Sequence, residues 1–334
     1  MKNLKRFAPF LFILIIFFTP WVIRDAYTLH LLIMVGIYVI IAQGLNLIFG
    51  YTGLLSFGQQ AYLAVGAYAS ALLALNFGLP FWVTLPLAIV VTVLFGLFVG
   101  FVTLRLRGPY FVIVTIGVAE IVRLVALNID AFGGPPGLRN IPTPSIHIGN
   151  LVSYNFQHDK TPYFYLIWAL AIFTIFIVTR LMNSRQGRAF LAVRENETLA
   201  QAIGINTFSY AMFAFAISVG LTGAAGAVYA HYITHISPDI SAFQWTLSMI
   251  LMVVVGGQGT LWGPIIGAFV FTFLPEWLRN AEAFRLPIYG VILIIAVLFL
   301  PNGVMPWLRK LGTWGLEKIK THSENGPSTD KASI

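Results

Sequence analysis

Glu120 and Arg123 stand three residues apart inside an apolar run at about 109–129. On a helix that spacing puts both side chains on one face, one turn apart. Either charge alone would cost several kcal/mol at the centre of a bilayer, so the two are expected to form an intramembrane ion pair. Such a pair either holds neighbouring helices together or belongs to a transport route. A proton relay would want an unpaired carboxylate, which counts against proton coupling. Two glycine-rich breaks are the next candidates. One runs from Gly50 through Tyr51, Thr52, Gly53, Ser56 and Gly58 to Gln59. The other runs from Gly256 and Gly257 through Gly259 and Thr260 to Gly263 and Pro264. Backbone released from a helix at membrane depth survives only when buried in protein or lining a wet cavity. Interruptions in both halves of a chain point to a translocation path, with Ser56, Gly58, Gln59, Gly256, Gly257 and Gly259 as candidate lining or gating residues. The same glycines also suit tight turns with close helix packing. His231 and His235 could share a helix face for a metal, but no third ligand stands near them in sequence, and no metal site is expected.

The elements that must position these residues are set by composition. Of 334 residues, 58% are hydrophobic and 10% charged, with a mean hydropathy of +0.84. Soluble domains carry roughly 25% charged residues, so this chain is a polytopic membrane protein. A cytosolic enzyme, a disordered chain and a nucleic-acid-binding domain are excluded. The net charge of +8 reports Lys and Arg facing anionic lipid instead. There is no cysteine, hence no disulfide or thiolate chemistry. There is also no P-loop and no Gly-Lys dipeptide, so the chain cannot bind ATP through a P-loop of its own. No catalytic constellation, G-x-S-x-G elbow or resident cofactor is expected.

Apolar runs lie at about 7–23, 29–49, 54–76, 81–104, 109–129, 162–180, 207–230, 244–256, 262–278 and 287–300. Taken as spans, they give an all-α fold of about ten transmembrane helices, with both termini on one side. The first run lacks a small-residue cleavage site and is taken as a retained span. With the N-terminus inside, 14 of the 20 Lys and Arg residues fall in inner segments, 5 in outer segments and Arg123 within a span. That asymmetry predicts N-in, C-in topology. Residues 1–306 form the membrane domain and 307–334 a cytoplasmic tail. Trp307, Leu308, Leu311 and Trp314 would make one face of a short interfacial helix in that tail, with disorder from about 321 onward.

Two loops are long. The outer loop, 130–161, carries Gly133, Gly134 and Gly137 among prolines. The inner loop, 181–206, reads as helix: Asn196 as N-cap, Glu197 at the positive end of the dipole, and Gly204 just past the end. Leu199, Ala202 and Ile203 share its apolar face.

The inner loop, with Arg188, Arg194, Glu195, Asn196, Glu197, Ala200 and Gly204, resembles the coupling loop of the branched-chain amino-acid ABC permease family, closest to the LivM-type subunit. Further landmarks are Leu45-Asn46-Leu47 with the first glycine break, Glu120 and Arg123, Gly133-Gly134-Pro135 with Gly137, and the second glycine break. The resemblance covers about 30–300. It implies one half of an inner-membrane importer pore, completed by a second, LivH-like permease subunit. Two cytoplasmic ATPase subunits would bind the ATP, and a periplasmic solute-binding protein would deliver the substrate. The coupling helix would sit in an ATPase groove, and outer segments 130–161 and 231–243 would meet the binding protein. Phe132 departs from the family pattern, which often has Thr before the glycine pair. Related permeases carry urea or short amides, and a stand-alone secondary transporter is the further alternative.

Overall fold

The computed structural model describes residues 16–23, 25–106, 108–148, 152–156, 160–277, and 287, 288, 290, 291 and 294. Among them the chain is helical, and six helices are long and apolar enough to cross a membrane. Asp25 caps α1 (Ala26–Leu45), its carboxylate accepting from the Thr28 backbone N–H at 2.8 Å and the Thr28 hydroxyl at 2.7 Å. Those bonds hold the Asp25 carboxyl below the usual carboxylate range. The helix then widens into a π-helical stretch, Asn46–Tyr51, a distortion that recurs at functional sites. α2 (Gln59–Phe77), α3 (Phe81–Thr103) and α4 (Pro109–Asn128) follow. α5 (Thr161–Met182) leads into two short helices, α6 (Arg185–Glu195) and α7 (Glu197–Ala202). α8 (Thr207–Ile233), α9 (Phe243–Gly256) and α10 (Gly263–Trp277) complete the described helices.

α1 is the central post, wrapped by α5, α8, α9 and α10. In an apolar solvent helices associate by close packing, so small residues mark the contacts. Gly66 of α2 lies against the backbone of Gly223 in α8, and Gly226 of α8 against the Leu63 carbonyl. α3 packs on α8 beside α2, where Gly96 meets Val219 and Gly223 meets Thr92. α9 and α10 close on each other through Gly267 and the Met252 backbone.

The apolar runs at 81–104, 109–129, 162–180 and 207–230 appear as helices within a few residues of their sequence boundaries. The run at 54–76 differs, because α2 starts only at Gln59. Leu54, Leu55 and Phe57 read as membrane-helical by hydropathy, but Gly53, with φ of +78°, opens a non-helical approach to α2. α9, at 14 residues, falls short of a full span, and α10 has 15 residues among those described, which run to Trp277. The runs at 7–23 and 287–300 lie largely outside the described residues, of which 16–22 are helical. The tail at 307–334 lies outside them entirely. The fold is not purely helical either. β1 (Leu138–Arg139) pairs antiparallel with β4 (His235–Ile236), and β2 (Ser145–Ile148) with β3 (Val152–Asn155). Both ladders lie outside the helices, where loop backbone has no helical partner of its own.

Candidate functional site

The two glycine breaks, from opposite halves of the sequence, close on each other at one end of the bundle. Asn46, wholly buried in the π-helical stretch, is the clasp. Its Oδ1 accepts from the Gly259 backbone N–H at 2.8 Å, and its Nδ2 donates to the Thr260 carbonyl at 2.9 Å. Gln43, one turn earlier and equally buried, donates to the Leu261 carbonyl at 2.6 Å. Two side chains bonding three backbone groups in this way satisfy backbone polar atoms that would otherwise be orphaned in an apolar interior. Gly259 takes a left-handed φ of +69°, and a Cβ there would overlap the Arg194 guanidinium. A Cβ on Gly50 would overlap Asn46 Oδ1. Behind the junction, Gln59 at the start of α2 donates to Ser218 and Thr222 of α8 at 3.2 and 2.5 Å. Ser218 in turn donates to the Gly44 carbonyl of α1 at 2.6 Å.

Into this junction reaches the inner-loop helix. Arg194, near the end of α6, donates from Nη1 to the Gly50 carbonyl at 2.6 Å, and its aliphatic stem lies along Gly53. Phe190, one turn earlier and wholly buried, plugs α6 into a cluster with Leu47, Tyr51, Val178 and Ala214. Asn196 then ends α6 and caps α7, accepting from the Leu199 N–H at 2.9 Å. Gly204, at φ +87°, closes α7: its N–H bonds to the Gln201 carbonyl and the Ile205 N–H to the Ala200 carbonyl, both at 3.0 Å. Those paired bonds form the Schellman arrangement, whose left-handed residue favours glycine. Glu197 Oε1 accepts from Thr207 at 3.3 Å and from Gln201 at 3.4 Å, tying α7 to the first turn of α8. Ala200 is buried, whereas Leu199 and Ile203 are 62% and 70% exposed, a large apolar display for a short helix flanked by exposed Arg188 and Glu195.

At the opposite end, His231 and His235 pin the loop that holds the Gly133–Gly137 turn. His231 Nδ1 donates to the Pro142 carbonyl at 2.6 Å, leaving Nε2 to face the Ser70 and Thr84 hydroxyls at 2.9 and 3.3 Å. The His235 ring meets the Leu138 carbonyl at 3.1 Å. A Cβ on Gly137 would overlap the Ile236 carbonyl, so the turn and the 231–243 segment are one unit. Phe132, where the family often has Thr, packs its ring edge-on against Tyr68 at 5.6 Å.

α4 is the least buried of the long helices. Arg123 and Glu120 do pair, with Nη2 to Oε1 at 2.6 Å and Nε to both carboxylate oxygens at 3.0 Å. The pair is not enclosed: the Arg123 and Glu120 side chains are 30% and 49% exposed, and Arg123 also feels the charge of Asp239 in the neighbouring 238–241 turn. On α4's packed side, Ser241 donates to the Ala119 carbonyl at 3.0 Å, and one turn below it Thr115 accepts from the Phe57 N–H at 3.1 Å. Segments 52–58 and 237–243 thus reach α4 within one turn of each other. There Phe57 and Phe243 stack almost parallel, at 6.1 Å and 9°. Ser56, Gly58, Gln59, Gly256 and Gly257 are buried behind them, and Gly259 partly so. Sequence reasoning did not single out Gln43, Ser241 or this aromatic pair, and it named Asn46 only within the Leu45-Asn46-Leu47 landmark, with no role of its own. Only Asn46 carried a signal, as a polar residue beside the first glycine break.

The family model described as "Branched-chain amino acid transport system / permease component" matches residues 27–300. Among curated proteins, the chain is 32% identical over 294 residues to the high-affinity branched-chain amino acid transport system permease protein LivM of Salmonella typhimurium, covering 83% of this chain and 69% of that one. It is 31% identical over 300 residues to LivM of Escherichia coli, covering 84% and 71%. To the Escherichia coli permease protein LivH it is 26% identical over 294 residues, covering 80% and 91%. No solved structure matches. A match across both glycine breaks, the inner-loop helices and α4, together with these relatives, places the function in transport rather than catalysis: this chain belongs to the branched-chain amino acid transport permease family.

Proposed function

We propose that the chain is one permease half of an ABC importer for branched-chain amino acids in a bacterial inner membrane. It pairs with a second permease subunit, is driven by two ATPase subunits that bind the ATP, and is fed by a periplasmic binding protein. In this reading the membrane domain is 1–306, with ten spans, the tail is 307–334, and both termini are cytoplasmic. The α6–α7 pair is then the cytoplasmic element. Leu199 and Ile203 seat in an ATPase groove, while Arg188, Glu195 and the capping pair Asn196 and Glu197 set register. The Gly133–Gly137 turn and the 231–243 segment face the binding protein.

One observation carries the reading: Arg194 joins α6 to the Gly50 carbonyl at the meeting point of both glycine breaks. A surface helix that only decorated the bundle would need no such strut. Displacement of α7 by nucleotide-driven closure acts on the backbone of both breaks through Arg194, and on α8 through Glu197 and Thr207. Gating then follows from moving the segments that carry Phe57 and Gly259. The test is a gentle-detergent pull-down of the chain from its native membranes, with mass identification of what accompanies it. Two P-loop ATPases and a second permease are the expected companions. A chain that elutes alone, while other ABC complexes stay intact, overturns the reading.

A further inference from the structure

The Glu120–Arg123 pair sits about 12 and 8 Å below the Asn128 end of α4, at 1.5 Å per residue. That is inside a hydrocarbon core about 30 Å thick. Acyl chains offer neither the carboxylate nor the guanidinium a partner beyond each other, and exposed intramembrane charges face protein or water rather than lipid. Arg123 spends Nε and Nη2 on Glu120, and Nη1 makes no hydrogen bond among the described residues. The same helix face exposes Ile113, Ile116 and Leu124 around the pair. Beside it, the short 3-10 helix Pro238–Ser241 reaches α4 at Ala119, whose carbonyl accepts from the Ser241 hydroxyl. The stacked Phe57 and Phe243 lie one turn further along.

From this geometry we propose that Glu120 and Arg123 form a binding station for the zwitterionic head of an α-amino acid in transit, on a water-filled face closed by the second permease subunit. The ammonium group takes the Glu120 carboxylate and the carboxylate takes the Arg123 guanidinium, so that the protein's own ion pair opens to admit the ligand and recloses behind it. The pair and the zwitterion each sum to zero, so neither state strands a charge of the pair, while Asp239 beside Arg123 contributes the same negative charge to both. The aliphatic side chain lies against Ile113, Ile116 and Leu124. A neutral amide such as urea could not exchange for an ion pair in this way. The proposal rests on the importer reading and gives its substrate a place in the path.

The test uses the absence of cysteine from this chain. At Gly117, one turn from Glu120, a Cβ would meet nothing within 4 Å, so Gly117→Cys adds a single open thiol. The assembled importer in proteoliposomes is treated with a charged, membrane-impermeant thiosulfonate, with and without L-leucine-loaded binding protein, and labelling of this chain is read by mass spectrometry. The same is done in a Glu120→Gln, Arg123→Met background, where removing both charges strands neither. The expected result is labelling that leucine slows in the parent and does not slow in the neutral background. Leucine uptake by the neutral variant should fall roughly ten- to a hundredfold, the worth of one or two hydrogen bonds to charged groups. A thiol that never reacts, equal protection in both backgrounds, or full uptake by an assembled neutral variant each overturns the station. Failure of the parent complex to carry leucine would instead overturn the importer reading itself.

Discussion

The glycine junction and the α4 face solve opposite problems with polar residues. At the junction Gln43, Asn46, Gln59, Ser218 and Thr222 are wholly buried, and their donors are spent on backbone carbonyls and facing hydroxyls. On α4 the only ion pair seen among the described residues is left partly exposed. The first arrangement specifies one packing, because breaking it would strand further buried donors and carbonyls beyond the Gln43 and Gln59 amide oxygens that already lack a partner. The second is complete only when something else covers it. Cohesion within the chain and contact beyond it are thus divided between two regions of one membrane body.

Substitutions can break that division, the largest effect first. Gly50→Val should abolish the folded permease, because its first side-chain atom already overlaps Asn46. Overpacking of about 3 kcal/mol or more, with the clasp lost as well, is expected to appear as loss of purified monodisperse protein. Asn46→Leu keeps volume but strands the Gly259 N–H and the Thr260 carbonyl. A cost of about 2–4 kcal/mol should lower the thermal unfolding midpoint in detergent. Gly204→Pro forces a residue fixed near −65° into a position held at +87°, with loss of the helix-end bonds. The membrane domain should fold, while stimulation of the ATPases by the binding protein disappears; survival of both assembly and transport would remove α7 from the coupling role. In the assembled importer, with the water-filled face proposed above, Arg123→Leu should cost no more than about 1 kcal/mol, since water screens the pair it breaks. A dry pair would have cost about 3–5 kcal/mol, so a thermal-shift series separates the two environments.

What sequence could read here was local. Asn196, Glu197 and Gly204 act within a few residues of themselves, so the cap and the helix end follow from residue type and spacing. The Glu120–Arg123 pair is likewise an i, i+3 event, and its existence was legible while its exposure was not. Burial depends on which helices happen to flank α4, and one sequence carries no record of that. The junction was half legible. Both glycine breaks stood out, but their meeting is made by Asn46 across 213 residues. Hydropathy placed the long helices and missed the start of α2, since Leu54 and Leu55 are apolar without being helical. The strand pairing of Leu138 with Ile236 had no period long enough to detect.

In the proposed mechanism Arg194 transmits motion from α6 and α7 to the glycine junction. This transmission is tested most directly by the number of leucine molecules imported per ATP hydrolysed, measured in proteoliposomes holding the complete importer with Arg194→Gln. The expected result is that the ATPases still co-purify and still hydrolyse ATP, while leucine carried per ATP falls roughly tenfold or more, as expected for one lost charge-assisted bond to backbone. An unchanged ratio, with the Arg194–Gly50 contact removed and the complex intact, would contradict it.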